Sequence, residues 1–402
     1  MTDFESDRPL VGRRTFMWGA ALAAAAPIVS EATLAYAARA SFLGEVPPDA
    51  VLINANENPL GPSKQACAAI ADIASSGGRY DRWDENDKLI DTFATQHNLK
   101  PENIALYAGS SEPLHYTVLA YTSPTRSLVI ADPSYESPMA AAAVQGAVIH
   151  KVKLTGDYAH DVHAMVSADP NAGLIYICNP NNPTGTITPR DQILWALDNK
   201  PAGSLLMVDE AYIHLSDEQS LMDQVAAGKD LLILRTFSKV YGMAGIRCGM
   251  AIARPDILQK LQPYLQNSMP VTALAAARAS IEDPDLVPVR KKWIGDTRVE
   301  TIGWLRDNGF QPIGNSQSNC FMIDTGRDGH LVIKALRDQK VYIGRIWPVW
   351  PNAVRVSVGS PDDMAKFRVA FKNVMSAPAM ASLGPSRADR VLRGSGNTTF
   401  LS

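Results

Sequence analysis

From about residue 100 onward, short apolar runs alternate with longer stretches whose apolar positions recur at helical spacing. The runs at 127–131, 174–178, 205–208, 231–234 and 248–253 contain no charged residue. Such runs predict strands buried on both faces. The stretches 112–121 and 189–197 predict helices between them. Buried strands separated by helices are the pattern of a parallel or mixed α/β sheet. The strands end in polar loops rich in Gly, Pro and Asn, and in open α/β sheets ligands gather at those carboxyl ends. Near residue 290 the pattern changes. A helix over 291–307, short strands around 320–323 and 354–358, and a helix over 362–375 predict a second, smaller α+β domain. No internal repeat is visible.

The N-terminus reads differently. Arg13-Arg14-Thr15-Phe16-Met17 precedes an apolar stretch from Trp18 to Val29, and Ala35-Tyr36-Ala37 offers a small-residue cleavage site. Charged, then apolar, then A-x-A is the layout of an export signal. The apolar stretch is short and alanine-rich for a membrane span, so no stable membrane insertion is expected. The paired arginines resemble the twin-arginine signal, with Gly12 in place of the leading Ser/Thr and Trp18 in place of the trailing Lys. That route carries proteins already folded. The resemblance implies the twin-arginine machinery as a partner and a periplasmic or secreted location.

The chain has 402 residues, 46% of them hydrophobic, too long for one compact unit. The expected division is an export signal over 1–37, an N-terminal arm and part of the small domain over 38–75, a large domain over 76–285, the small domain over 286–376, and a flexible tail rich in Ser, Gly, Pro and Arg over 377–402. The formal net charge of −3, with basic residues scattered, points away from nucleic acid and anionic membrane surfaces. Cys67, Cys178, Cys248 and Cys320 form no CxxC pair and no metal-ligand spacing. Cys178 and Cys248 lie in apolar runs and read as buried thiols.

Four segments carry candidate chemistry. Asn179-Pro180-Asn181-Asn182-Pro183-Thr184-Gly185 follows the run 174–178 and is, taken alone, turn chemistry. Val208-Asp209-Glu210-Ala211-Tyr212 places a carboxylate at a strand end, where it stays charged only with a cationic partner. Thr236-Phe237-Ser238-Lys239 follows another strand, and Gly245-Ile246-Arg247-Cys248-Gly249 puts an arginine eight residues beyond the lysine. Hydroxyls and an arginine around one lysine make a phosphate cradle plausible on chemical grounds.

This order of segments resembles the fold-type I aminotransferases, and most closely the histidinol-phosphate aminotransferase family. Asn54-Ala55-Asn56-Glu57-Asn58-Pro59-Leu60-Gly61-Pro62 is similar to that family's N-A-N-E-N-P-x-G-P. Arg79-Tyr80-Asp81, Gly109-Ser110-Ser111-Glu112 and Val354-Arg355-Val356-Ser357-Val358-Gly359 resemble three more of its segments, and the likeness runs from about residue 50 to 375. The resemblance implies an aspartate-aminotransferase-like fold, with a mostly parallel seven-stranded sheet in the large domain and a smaller α+β domain.

It also implies pyridoxal 5′-phosphate as cofactor, joined to Lys239 as an aldimine. Asp209 would then pair with the ring nitrogen, Asn182 and Tyr212 would bond the ring hydroxyl oxygen, and Tyr135 would stack on the ring. Ser110, Ser111, Thr236, Ser238 and Arg247 would hold the phosphate. Tyr80 resembles the tyrosine that reaches the phosphate from a neighbouring subunit, which implies a homodimer with shared sites. Arg355 resembles the arginine that grips the substrate carboxylate, with Arg345 and Asn56 as further substrate-binding residues. Lys239, Asp209 and Tyr212 are the implied catalytic residues.

The implied reaction moves an amino group from an L-amino acid or related amine to a 2-oxo acid, resting on the cofactor as pyridoxamine phosphate between half-reactions. An oxidase, decarboxylase or lyase of the same fold is the alternative, because one fold and one lysine serve all of these. A binding protein that kept the fold is a third reading, opposed by every expected chemical position being filled. Leu60 stands where some family members carry Tyr. Trp347 and Trp350 either line an aromatic pocket or pack between domains. An exported enzyme would not meet the cytoplasmic intermediates of histidine biosynthesis, so the family name guides fold and cofactor rather than substrate.

Overall fold

The computed structural model describes residues 46–81, 84–265 and 268–378. The predicted export signal and all but the first two residues of the predicted tail lie outside them. Twelve strands are formed among the described residues: β1 Val51–Ile53, β2 Ile104–Tyr107, β3 Ser127–Asp132, β4 Ile149–Lys153, β5 Ala172–Cys178, β6 Leu205–Asp209, β7 Leu231–Thr236, β8 Gly249–Ala253, β9 Gln311–Ile313, β10 Cys320–Asp324, β11 Val341–Ile343 and β12 Ala353–Ser357. The helices that matter below are α1 Lys64–Ile73, α2 Glu85–His97, α3 Ser111–Tyr121, α4 Ser137–Val144, α5 Val162–Ser167, α6 Arg190–Asn199, α7 Met222–Ala226, α8 Pro255–Gln259, α9 Val271–Ile281, α10 Leu286–Asp307, α11 Gly329–Asp338 and α12 Pro361–Ser376.

Seven strands form the main sheet in the order β2-β8-β7-β6-β5-β3-β4. Five of them, β4, β3, β5, β6 and β7, pair in parallel, while β8 runs antiparallel to both β7 and β2. The expected mostly parallel sheet is present. Strand alternation explains its two packed faces. Val129, Ile175, Ile177, Leu206, Val208 and Ile233 join one core, with Leu89 and Phe93 of α2, Ile193 of α6 and Ala273 of α9. Leu128, Ile130, Leu174, Tyr176, Leu205, Met207 and Leu232 join the other, with Leu114 and Val118 of α3 and Ile257 of α8. Both faces are covered, which is why these strands carry no polar alternation.

The C-terminal part is built on the antiparallel sheet β12-β10-β9, with α10 packed on β9 and α12 packed on α10, β1 and β11. The N-terminal arm reaches it, because β1 pairs in parallel with β11. A little further on, α1 packs instead on α9.

Candidate active site

The carboxyl ends of β2, β3, β5, β6 and β7 open onto a cavity of about 300 Å³. Its wall includes Ser110, Ser111, Tyr135, Asn182, Asp209, Tyr212, Thr236, Ser238, Lys239 and Arg247. These residues come from six separate stretches of sequence. Parallel strand order brings five of them together at strand ends, and Arg247 joins them just before β8.

Asp209 closes β6 and is 4% exposed. Tyr176 donates its hydroxyl to Asp209 Oδ2 at 2.9 Å, and the Ala211 N–H donates to Oδ1 at 3.1 Å. Burial pushes the carboxyl up to about 6 in the protein alone, against these two hydrogen bonds and the Lys239 charge, which pull it down. A group so poised becomes a full carboxylate when a cation is placed beside it. Lys239 is 8% exposed. Its Nζ donates to the Asn56 carbonyl at 3.1 Å and lies 5.5 Å from the centre of the Tyr212 ring.

An anion cradle adjoins this pair. Ser111 begins α3, where backbone N–H groups and the helix dipole favour negative charge. Thr236 donates its hydroxyl to Ser238 Oγ at 3.0 Å, and Arg247 donates to Ser238 Oγ at 3.4 Å and to the Ala108 carbonyl at 3.1 Å. Gly109 has φ +90, and a Cβ there would collide with the Arg247 guanidinium. A Cβ on Gly249 would come within 2.5 Å of the Gly109 carbonyl carbon and the Ser110 nitrogen. Both glycines are therefore needed for arginine and helix start to meet. A helix start, hydroxyls and a guanidinium beside a buried amine and a buried carboxylate fit a phosphorylated aldehyde with a basic ring nitrogen.

The remaining predicted residues sit outside the cavity wall. Asn56 is fully buried with φ +53, and its amide donates to the Tyr212 hydroxyl at 3.0 Å while its Oδ1 accepts from Ser357 at 2.8 Å. These bonds brace the N-terminal arm against Tyr212 and β12. Arg355 is 1% exposed and stands behind Asn182, donating to its Oδ1 at 2.9 Å and to the Asn54 carbonyl at 2.7 Å. Arg345 forms an ion pair with Glu136 at 2.7 Å. Tyr80 is 85% exposed, away from the cavity of its own chain. Trp347 is fully buried, donates to the Ser134 carbonyl at 3.0 Å and packs with Met322 and Ala353, so it fills space between layers rather than lining a pocket. Trp350 meets Tyr158 edge-on.

Sequence reasoning missed several residues. Tyr176 lies in a run read as wholly apolar, although a buried tyrosine hydroxyl demands a partner. Glu136 directly follows a predicted site residue and carried no separate signal. Asn319, 1% exposed, donates to the Asn56 and Glu57 carbonyls at 2.9 and 3.2 Å, across a sequence gap no local pattern bridges.

Solved structures share this fold. The histidinol-phosphate aminotransferase of Sinorhizobium meliloti, in complex with pyridoxal-5′-phosphate, matches with a TM-score of 0.74 and 26% identity over 84% of this chain and 96% of that one. Fold and site thus define a transferase of the aspartate-aminotransferase type. The sequence model for aminotransferase class I and II matches residues 48–371, and the chain belongs to that family. It is similar to a histidinol-phosphate aminotransferase of Shouchella clausii, 30% identical over 76% of this chain and 84% of the relative. It is also similar to an aromatic amino acid aminotransferase of Rhodococcus jostii, 31% identical over 84% of this chain and 93% of the relative. The protein is a pyridoxal-phosphate-dependent aminotransferase.

Proposed function

We propose that transamination runs at Lys239 with Asp209 and Tyr212, and that the donor is an L-amino acid held through its α-carboxylate by Arg355. The observation that carries this reading is one cavity walled by a buried lysine, a buried carboxylate and an anion cradle, with Arg355 directly behind Asn182. Pyridoxal 5′-phosphate, when bound, supplies a carbonyl that condenses with amines and a ring that takes up electrons from the α-carbon. Ser110, Ser111, Thr236, Ser238 and Arg247 would hold its phosphate, Asn182 and Tyr212 its ring hydroxyl oxygen, and Tyr135 its face. Asp209 would pair with the ring nitrogen and keep it protonated.

Lys239 moves the α-proton. Its amine rests on the Asn56 carbonyl, within the same cavity as Asp209, and from there takes a proton from one carbon and returns it to another. Arg355 offers a planar fork to a carboxylate, and fixing that group sets which α-carbon bond faces the ring. The test is an absorption spectrum of the purified protein with single L-amino acids in the absence of oxygen. The yellow cofactor band should bleach and return on adding a 2-oxo acid. A band that no amino acid bleaches would overturn the reading.

The active unit in this reading is a homodimer with shared sites, supported by Tyr80, which is 85% exposed and resembles the family's tyrosine that reaches the phosphate of a neighbouring subunit. Mixing Tyr80→Ala chains with Lys239→Ala chains should restore activity in hybrids if sites are shared. Residues 1–37 act as an export signal in the same reading, taken by the twin-arginine machinery to the periplasm or beyond. Its support is the order Arg13-Arg14, apolar stretch, Ala35-Tyr36-Ala37. No helix of the described residues is long and apolar enough to cross a membrane. Replacing both arginines by lysine should trap the enzyme in the cytoplasm; unchanged export would mean another route.

A further inference from the structure

Two arginines approach one indole beside the cavity. The Arg345 guanidinium lies 4.7 Å from the centre of the Trp347 ring, and that of Arg355 lies 5.7 Å from the same centre. The Trp347 N–H is bonded to the Ser134 carbonyl, which pins the indole to the loop that carries Tyr135 into the cavity wall. The two arginines are also linked through their backbones, the Arg355 N–H donating to the Arg345 carbonyl at 3.3 Å. Left with both charges, this flank would suit a donor with two anionic groups, one at the α-carbon and one on the side chain.

Glu136 changes that balance. It sits one residue beyond Tyr135 and binds Arg345 Nη1 through Oε2 at 2.7 Å. The two side chains are 24% and 28% exposed, so water screens the pair less than it screens a surface ion pair. Glu136 also stands at the N-cap of α4, where the helix dipole favours its charge. Of these three residues, the net charge is that of one arginine.

We propose that Glu136 determines side-chain specificity, resting on the transaminase reading above: by neutralising Arg345 it restricts the site to donors and oxo-acid acceptors whose side chains carry no negative charge. Glu136 is a positioning residue that acts through Arg345. A donor with a carboxylate on its side chain would have to compete with Glu136 for the guanidinium and leave a partly buried carboxylate without its partner. An aromatic or aliphatic side chain meets no such cost.

The experiment measures the half-reaction of the holoenzyme with L-phenylalanine, L-leucine, L-glutamate and L-aspartate. The wild type should prefer the neutral donors. In Glu136→Gln the ratio of kcat/KM for L-glutamate and L-aspartate over L-phenylalanine should rise by at least about tenfold, chiefly through KM. Arg345→Gln added to Glu136→Gln should remove the gain. A merely structural role would lower all four donors together. A ratio that stays put in Glu136→Gln, or a wild type that already prefers anionic donors, overturns the proposal while leaving transamination intact. The wild-type preference keeps the test decisive even where Glu136→Gln does not fold. Failure of every donor in the wild type would instead overturn the functional reading on which the proposal rests.

Discussion

The floor of the cavity and its flank are built by different means. On the floor, Asp209 and the Thr236–Lys239 segment come off adjacent strands of one sheet, with Asp209 in register with Leu234 on β7 and Cys178 on β5. Backbone pairing fixes their spacing before any side chain acts. On the flank, Glu136 follows β3, Arg345 and Trp347 lie between β11 and β12, and Arg355 lies on β12 of another sheet. A backbone bond ties Arg355 to Arg345, and side-chain contacts join them to the large sheet's loops: Glu136 to Arg345, Trp347 to Ser134, and Arg355 to Asn182. The chemistry common to every amino donor is placed on the rigid element, and the groups argued to read the donor stand where two sheets meet. Substitutions on the floor should cost rate, and those on the flank should change KM and preference.

Lys239→Ala is the strongest test of that division. Transamination should fall by at least about a thousandfold with every donor, because the proton carrier is gone. Steady-state rates with two unlike donors check it, and a donor-dependent loss would erase the contrast between floor and flank. Asp209→Asn should come next, costing about a hundredfold through lost charge stabilisation. It carries a second readout. An acid whose pKa is raised on folding favours the native state most below its ordinary value and loses that benefit as pH rises through the folded value. For Asp209 that window runs from 3.8 to about 6. In cofactor-free protein, the stability of wild type relative to Asp209→Asn should therefore fall by roughly 3 kcal/mol across it. The comparison is necessary because buried His160, lowered to about 4, titrates with the opposite sign. Denaturant unfolding at several pH values measures the difference, and a flat difference curve would refute the raised carboxyl.

On the flank, Arg355→Lys keeps the charge and loses the fork. KM for the amino acid should rise by roughly tenfold to a hundredfold, with kcat changing less. An equal fall in kcat with KM unchanged would move Arg355 from the flank to the floor.

The same contrast governs what the chain discloses before folding. Asp209 and Lys239 each follow an uninterrupted apolar run, so strand ends and site residues were legible together. The family motifs then ordered them. Strand β4 was missed, since Ile149–Lys153 is a half-exposed edge with polar residues among its apolar ones. Helix α9 was missed for the opposite reason: Val271–Ile281 is buried almost all round and shows no amphipathic stripe. The Arg355–Asn182 bond spans 173 residues, and nothing local announces it. The two readings left open for the tryptophans were separable only by coordinates, which put Trp347 in the packing between layers.

Tyr176 tests the boundary between scaffold and chemistry most finely. It lies on the floor, two residues before the end of β5, and is not itself part of the cavity wall; it reaches the wall by donating to Asp209 Oδ2. That bond favours the charged carboxylate and opposes the burial that raises it. Tyr176→Phe keeps the ring and its packing and removes the donor, so Asp209 should become harder to ionise. Cofactor affinity of the stripped protein should fall as pH drops below about 6 in the wild type, and the fall should begin at higher pH in Tyr176→Phe. The cofactor's own titrations are common to both proteins and cancel. At neutral pH the variant should lose only about three- to tenfold in affinity, the worth of one hydrogen bond to a charged group. A loss of affinity with no movement of the acid limb would make Tyr176 a packing residue, and the floor would then end at the cavity wall.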